Sequence, residues 1–140
     1  MHKVLSAVAV TAAAAMVTLI DAGPASALGN EQLGCYVSPS RTAPQVNPGY
    51  CSDSMPASSY SASYQVMNLS GSYTFAWSVP AYYAGKIVAG CTSDSSRCVL
   101  SNLTPTREVT VSVTISQGGQ SVASSATADI EPWCGNYFCG

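Results

Sequence analysis

The fold of this 140-residue chain is decided by one stretch, VTVSVTISQGGQSVASSATADI, residues 109–130. Aliphatic residues alternate with Ser and Thr from Val109 to Ser116, which is the period of a β-strand with one face on a core and one in water. Gln117-Gly118-Gly119-Gln120 predicts a hairpin turn, because glycine adopts the positive φ that tight hairpins need. The alternation resumes over residues 122–130, so we expect an antiparallel hairpin.

Two stretches nearer the N-terminus, residues 60–66 and 73–79, alternate in the same way. A polar segment containing Gly71 separates them and predicts a turn. We therefore expect these two strands to be neighbours in one antiparallel sheet.

Shorter strands are expected at Leu33–Ser38, Lys86–Cys91 and Arg97–Leu103, the last two joined by a polar tip at residues 92–96. No segment after residue 27 has the period of a helix. About seven short strands separated by turns predict an all-β fold, a small antiparallel β-sandwich stapled by disulfides.

One segment, LTPTREVTV at residues 103–111, resembles the end of a fibronectin type III domain. In that family a Leu, a Pro two residues on and a Tyr six residues on precede an alternating strand. Leu103 and Pro105 match this pattern, whereas Val109 stands where the corner tyrosine of the family is expected.

Trp77, at the end of an alternating strand, is similar to the core tryptophan of immunoglobulin-like and fibronectin-like domains. The resemblance extends over about residues 60–131. It implies a sandwich of immunoglobulin or fibronectin type, an architecture that hosts adhesion, ligand binding and structural spacing alike.

The first 27 residues have the order of a secretory signal peptide. Basic residues at positions 2–3 precede an apolar run from Val4 to Ile20, and Ala25-Ser26-Ala27 provides the small residues that signal peptidase cleaves. The apolar run is at the lower edge of what spans a bilayer, so a membrane helix is the alternative. We predict export and an extracellular location.

The rest of the chain is predicted to comprise a Pro-rich stapled arm (28–58), a sandwich core (59–131) and a Cys-stapled C-terminal segment (132–140). The formal net charge is −2. Nucleic acids and anionic membranes attract clustered basic charge, so neither is an expected partner after signal-peptide removal. We expect a monomer whose surface is made soluble mainly by hydroxyl and amide groups.

All six cysteines follow the predicted signal peptide, and an even number in an exported chain indicates a disulfide framework. Six cysteines allow fifteen pairings. Their spacing falls into local pairs, which predicts Cys35 with Cys51, Cys91 with Cys98, and Cys134 with Cys139. The gaps do not fit a zinc site, and the only histidine is His2, so neither a metal nor a cofactor is expected.

Catalysis is not expected. Ser-His-Asp and Cys-His triads need an imidazole to move a proton near neutral pH, and no histidine follows the predicted signal peptide. A carboxylate pair, Asp129 and Glu131, shares one face of a strand and has the chemistry of a glycosidase. Solvated charge at a strand end is the simpler explanation of this pair, and we favour it.

Binding is the function that the residues favour. Aromatic side chains outside the alternating strands are expected on loops, where rigid rings contact sugars and peptides at small entropic cost. The candidate contacts are Tyr82, Tyr83, Trp133, Tyr137 and Phe138. They predict a secreted, non-catalytic module that recognises an extracellular surface, polysaccharide or protein, with packing of these rings against the sandwich as the alternative.

Two other functions stay open. The segment closed by Cys91 and Cys98 has the size of an inhibitory loop for an exported protease, with Arg97 inside it. A carrier of a small apolar ligand is the second, by fold-level analogy to small immunoglobulin-like chromoprotein carriers.

Overall fold

The computed structural model describes residues 28–105 and 108–139. The predicted signal peptide, residues 1–27, lies outside the described residues. None of the described residues belongs to a helix long and apolar enough to cross a membrane. In chain order, the described elements are β1 (Gln32–Ser38), β2 (Asn47–Pro48), β3 (Tyr50–Ser52), β4 (Tyr60–Met67), β5 (Thr74–Ser78), a 3₁₀ helix (Ala81–Lys86), β6 (Ile87–Gly90), β7 (Arg97–Leu103), β8 (Glu108–Gln117), β9 (Gln120–Asp129), β10 (Trp133–Cys134) and β11 (Tyr137–Phe138).

The chain is all-β, as predicted, and most strands belong to two sheets. Sheet 1 has the order β2-β1-β4-β7-β6, sheet 2 has the order β3-β9-β8-β5, and β10 and β11 form a separate hairpin. The inward side chains of the two sheets form one core. Its buried apolar members are Leu33, Cys35, Val37, Cys51, Tyr60, Ala62, Tyr64, Val66, Phe75, Cys98, Leu100, Leu103, Val109, Val111, Val113, Ile115, Ala126, Ala128 and Ile130.

The β8–β9 hairpin has the register that the sequence predicts. Pairing runs without a shift from Glu108 opposite Asp129 to Gln117 opposite Gln120. On the outer face, hydroxyl groups pair across the strands, with Ser112 and Ser125 at 2.8 Å between their Oγ atoms. Hydroxyl groups therefore make up most of the polar surface of this face, with the charged pair of Glu108 and Asp129 at its end.

The expected pairing of residues 60–66 with residues 73–79 is wrong. β4 lies between β1 and β7 in sheet 1, whereas β5 pairs with β8 in sheet 2. Both strands do turn aromatic rings inward, since Tyr64 and Phe75 are buried. The segment between them crosses from one sheet to the other, so the two strands lie in different sheets instead of sharing a ladder.

The Pro-rich stretch 28–58 contributes strands to both sheets. The predicted strand at Leu33–Ser38 is confirmed as β1, which lies inside sheet 1, and β3 runs parallel to β9 in sheet 2. Gly49 joins the two sheets: its N–H donates to the carbonyl of Leu33 at 3.0 Å, and its carbonyl accepts from the N–H of Thr127 at 2.9 Å. Its φ of +72° lies in the left-handed region, which glycine adopts without steric strain.

The three predicted disulfides are confirmed. Cys35–Cys51 links β1 to β3 and therefore ties one sheet to the other. Cys91–Cys98 closes the tip between β6 and β7, and Cys134–Cys139 closes the C-terminal hairpin. Each bond restricts the unfolded chain, the first by about 3 kcal/mol for a loop of this length.

Candidate functional site

The five predicted contact residues occupy two separate places. Tyr82 and Tyr83 lie in the 3₁₀ helix, which connects β5 and β6, the edge strands on one side of the two sheets. Trp133, Tyr137 and Phe138 lie on the β10–β11 hairpin, which follows β9 beside the opposite edge strand, β3. The structure thus brings together the three C-terminal aromatic residues but not all five.

The C-terminal hairpin is closed by several short-range contacts. Trp133 pairs with Phe138 and Cys134 with Tyr137. The Cys134–Cys139 disulfide lies next to this pairing, and the N–H of Cys139 donates to the carbonyl of Pro132 at 2.9 Å. These ties fix the aromatic side chains relative to one another.

A buried carboxylate fixes the hairpin to the sandwich. Asp53 is only 2% exposed, and its Oδ2 accepts a hydrogen bond from Nε1 of Trp133. Its Oδ1 accepts from the N–H of Glu131 at 3.1 Å, and its own N–H donates to the carbonyl of Asp129 at 3.1 Å. Sequence reasoning missed Asp53; the signal available was that a packed tryptophan needs an acceptor for its indole N–H.

Two side chains, those of Phe138 and Arg41, pack against the ring of Trp133. The ring of Phe138 lies with its centroid 4.3 Å from that of Trp133, and the guanidinium of Arg41 lies over Trp133 at 5.6 Å from the ring centroid. This is the geometry of a cation–π contact. Trp133 therefore positions the hairpin, while Tyr137 and Phe138, at 70% and 41% exposure, present the free aromatic surface.

Tyr50 adds an exposed ring on β3 that was not among the predicted contacts. Its hydroxyl donates to Oδ2 of Asp129 at 2.9 Å. That hydrogen bond is the main cause that raises the pKa of the tyrosine, with partial burial and the charge of Asp129 acting in the same direction. The carboxylate of Asp129 is thus engaged by a phenol, and Asp129 pairs with Glu108 across the ladder.

The other aromatic group lies at the opposite edge. The ring of Tyr82 is 77% exposed and meets the ring of Tyr83 edge-on, with centroids 5.0 Å apart. Tyr83 is half-buried against the core, and its N–H donates to the carbonyl of Pro80. Ile87 and Val88 are also exposed beside this helix, so a second, mainly apolar surface lies here.

The loop closed by Cys91 and Cys98 has its backbone turned toward the sandwich. Carbonyls of Ser93 and Ser96 accept hydrogen bonds from the N–H groups of Phe75 and Val66, both at 2.9 Å. A protease inhibitor presents its loop backbone to the enzyme. These two carbonyls are instead bonded to the strands behind them.

Arg97 begins β7, and its side chain lies along the outer face of sheet 1. Its Nε donates to Oγ of Ser63 at 2.9 Å and its Nη2 to the hydroxyl of Tyr36 at 3.0 Å. The guanidinium is therefore directed across the sheet and away from the loop tip.

In the described ranges 28–105 and 108–139, no cluster of three or more His, Cys, Asp or Glu residues could hold a metal ion. No protein-family model matches this chain. No curated protein and no solved structure matches it either.

Proposed function

We propose that this protein is a secreted, non-catalytic binding module that contacts an extracellular polysaccharide or protein through its C-terminal hairpin. One observation carries the proposal: Tyr137 and Phe138 are exposed on a hairpin that the buried carboxylate of Asp53 holds in place through Trp133. Holding aromatic rings in a solvent-exposed position contributes little to the stability of the fold. It does remove the entropic cost of ordering those rings when a ligand binds.

Export is supported by two independent features. The N-terminal 27 residues have the order of a signal peptide, and the three disulfides are typical of proteins that mature in oxidising compartments. Both fit a role outside the cell.

Kinship with immunoglobulin-type sandwiches is part of the same proposal, and the strand order supports it. If β1, β4, β5, β6, β7, β8 and β9 are lettered A to G, sheet 1 contains A-B-E-D and sheet 2 contains G-F-C. This is the arrangement of constant-type immunoglobulin domains. The chain departs from that family in its disulfides, because the bond between sheets joins β1 to β3.

Retention of the oxidised protein on insoluble polysaccharides and on immobilised extracellular proteins tests the proposal. The Tyr137→Ala, Phe138→Ala variant removes the exposed rings and leaves Trp133 on Asp53. We expect its affinity for the retaining matrix to fall at least tenfold, since two aromatic contacts together contribute more than about 1.4 kcal/mol.

Tyr82→Ala is the matched control, because it removes a ring at the opposite edge that is about as exposed as that of Tyr137. If this control loses binding and the hairpin variant keeps it, the contact surface is the 3₁₀ helix and the proposal for the hairpin is wrong. If neither variant changes binding, the exposed rings have no part in recognition.

A further inference from the structure

A polar cleft of about 140 Å³ lies between β3 and the segment of residues 40–47, which ends at the start of β2. Its floor includes Val37 and Cys51, which belong to the core. The lining residues are Tyr36, Val37, Ser40, Thr42, Ala43, Pro44, Gln45, Asn47, Cys51, Ser52 and Ser54. None of them carries a charge, and most offer hydroxyl or amide groups.

Some of these polar groups hold the cleft in shape. Oγ of Ser54 lies 2.9 Å from Oγ of Ser40, and Nδ2 of Asn47 donates to the carbonyl of Gln45 at 3.2 Å. Other groups stay free: within residues 28–105 and 108–139, the Gln45 side-chain amide and the Ser52 hydroxyl bond to no other protein group. The cleft thus keeps unused donors and acceptors next to a firm apolar floor.

The cleft and the hairpin form adjoining surfaces. Oγ of Ser54 accepts a hydrogen bond from the N–H of Arg41 at 3.0 Å, and the guanidinium of Arg41 lies over Trp133. Arg41 therefore contacts both the lining of the cleft and the aromatic hairpin. A ligand with several repeating units would span both.

We infer that this cleft is a glycan subsite, which seats one sugar ring while the next unit of the chain contacts Tyr137 and Phe138. The inference rests on the proposed function and names its ligand class. A closed cavity of about 150 Å³ holds benzene. A sugar ring with its hydroxyl groups is larger, so it would fill the cleft and extend from its open side. A sugar ring also offers the donors and acceptors that free hydroxyl and amide groups need.

Other ligand classes fit the cleft less well. A phosphate or carboxylate is recognised by paired guanidinium groups or by a row of backbone N–H donors. Here the guanidinium of Arg41 lies over Trp133, and that of Arg97 is bonded to Ser63 and Tyr36. A protein partner makes a flatter contact with an apolar centre. A neutral, hydroxyl-lined recess beside exposed aromatic rings is the chemistry of a glycan site.

The test uses the full oxidised protein on cellulose, chitin and purified peptidoglycan, with the soluble oligosaccharide of the retaining matrix as competitor. Gln45→Ala, Ser52→Ala removes the two free polar groups. We expect affinity to fall about tenfold, since each hydrogen bond to a neutral partner contributes roughly two- to tenfold. Ser125→Ala is the matched control on the outer face of sheet 2, and its affinity should be unchanged.

Nuclear magnetic resonance shows directly where the oligosaccharide binds. The side-chain amide signals of Gln45 and Asn47 should shift when the oligosaccharide is added to the wild-type protein. These shifts should persist, at higher ligand concentration, in the Tyr137→Ala, Phe138→Ala variant, because the cleft is intact there.

The outcomes separate this inference from the proposed function. Glycan binding that needs Tyr137 and Phe138 but is unaffected by the cleft variant overturns the subsite and leaves the binding module standing. Hairpin-dependent binding to a protein, with no glycan retained, overturns the glycan class in the same way. Absence of retention on every matrix and every immobilised protein overturns both.

Discussion

Replacing Asp53 by Asn should loosen the C-terminal hairpin without unfolding the sandwich. The carboxylate of Asp53 accepts hydrogen bonds from Nε1 of Trp133 and from the N–H of Glu131. An asparagine keeps one oxygen, which can serve Glu131. Its NH₂ group then faces the indole N–H, so two donors meet and the Trp133 bond is lost.

The magnitude follows from the kind of bond that is removed. A hydrogen bond to a charged group contributes about 1.5–3 kcal/mol, and the acceptor here is almost fully buried. We expect the free energy of hairpin opening to fall by about 2 kcal/mol, which raises the open population roughly thirtyfold. The loss of stability is confined to the hairpin, because the hairpin is a terminal element outside both sheets.

Native-state hydrogen exchange measures this opening directly. The amides of Glu131 and Cys139 report on the hairpin, since the first donates to Asp53 and the second to Pro132. The amide of Val113, in β8, reports on the sandwich and should keep its protection. Trp133 fluorescence, recorded in a Trp77→Phe background, gives a second measure, because the chain has two tryptophans.

Unchanged exchange at Glu131 and Cys139 in Asp53→Asn, within about 0.5 kcal/mol, would refute the assignment of Asp53 as the anchor. Equal loss of protection at Val113 would show that Asp53 supports the whole fold instead. Asp94→Asn is the control, since that carboxylate lies in the loop between β6 and β7 and bonds to Thr92.

Three further predictions concern stability. The pKa of Glu31 is lowered from its ordinary 4.5, mainly by the hydrogen bond from the N–H of Gly29, so Glu31 contributes stability above that value. This contribution is lost as pH falls through the lower folded pKa, and in urea titrations Glu31→Gln should therefore lose less stability than wild type between pH 7 and pH 3. Gly90→Ala should lower the free energy of unfolding by at least about 2 kcal/mol, because φ is +68° and a Cβ would lie 1.8 Å from a backbone carbonyl oxygen. Gly85→Ala, where a Cβ meets open space, should lower it by under about 1 kcal/mol, and thermal unfolding compares the two variants. Tyr64→Phe should cost about 1 kcal/mol in urea unfolding, since it removes the 2.6 Å hydrogen bond from β4 to a β8 carbonyl.

The parts of the fold that the sequence predicts well are those with local signals. The β8–β9 hairpin combines strict alternation with Gly118-Gly119, and each disulfide joins cysteines that are neighbours in the cysteine order. The placement of β4 and β5 in different sheets has no such signal. A polar segment with one glycine, such as residues 68–72, serves a tight hairpin and a crossing connection alike.

The candidate site was predictable only in part, for the same reason. Exposed rings at Tyr82 and Tyr137 follow from their positions outside the alternating strands. The bond between Asp53 and Trp133 joins residues separated by 80 positions, and nothing near either residue indicates the other. Arg41 over Trp133 is equally non-local. Tertiary partners of this kind are visible only once the sheets are assembled.

The anchoring of the hairpin bears on affinity as well as on stability. Closed by Cys134–Cys139 alone, the hairpin would keep its internal shape but move about the chain at Ile130–Pro132. A ligand would then have to order the whole unit on binding, at a cost set by the population that is already docked. Asp53 keeps that population high. Asp53→Asn should therefore weaken binding through Tyr137 and Phe138, although Asp53 itself is buried and lies outside the exposed aromatic surface.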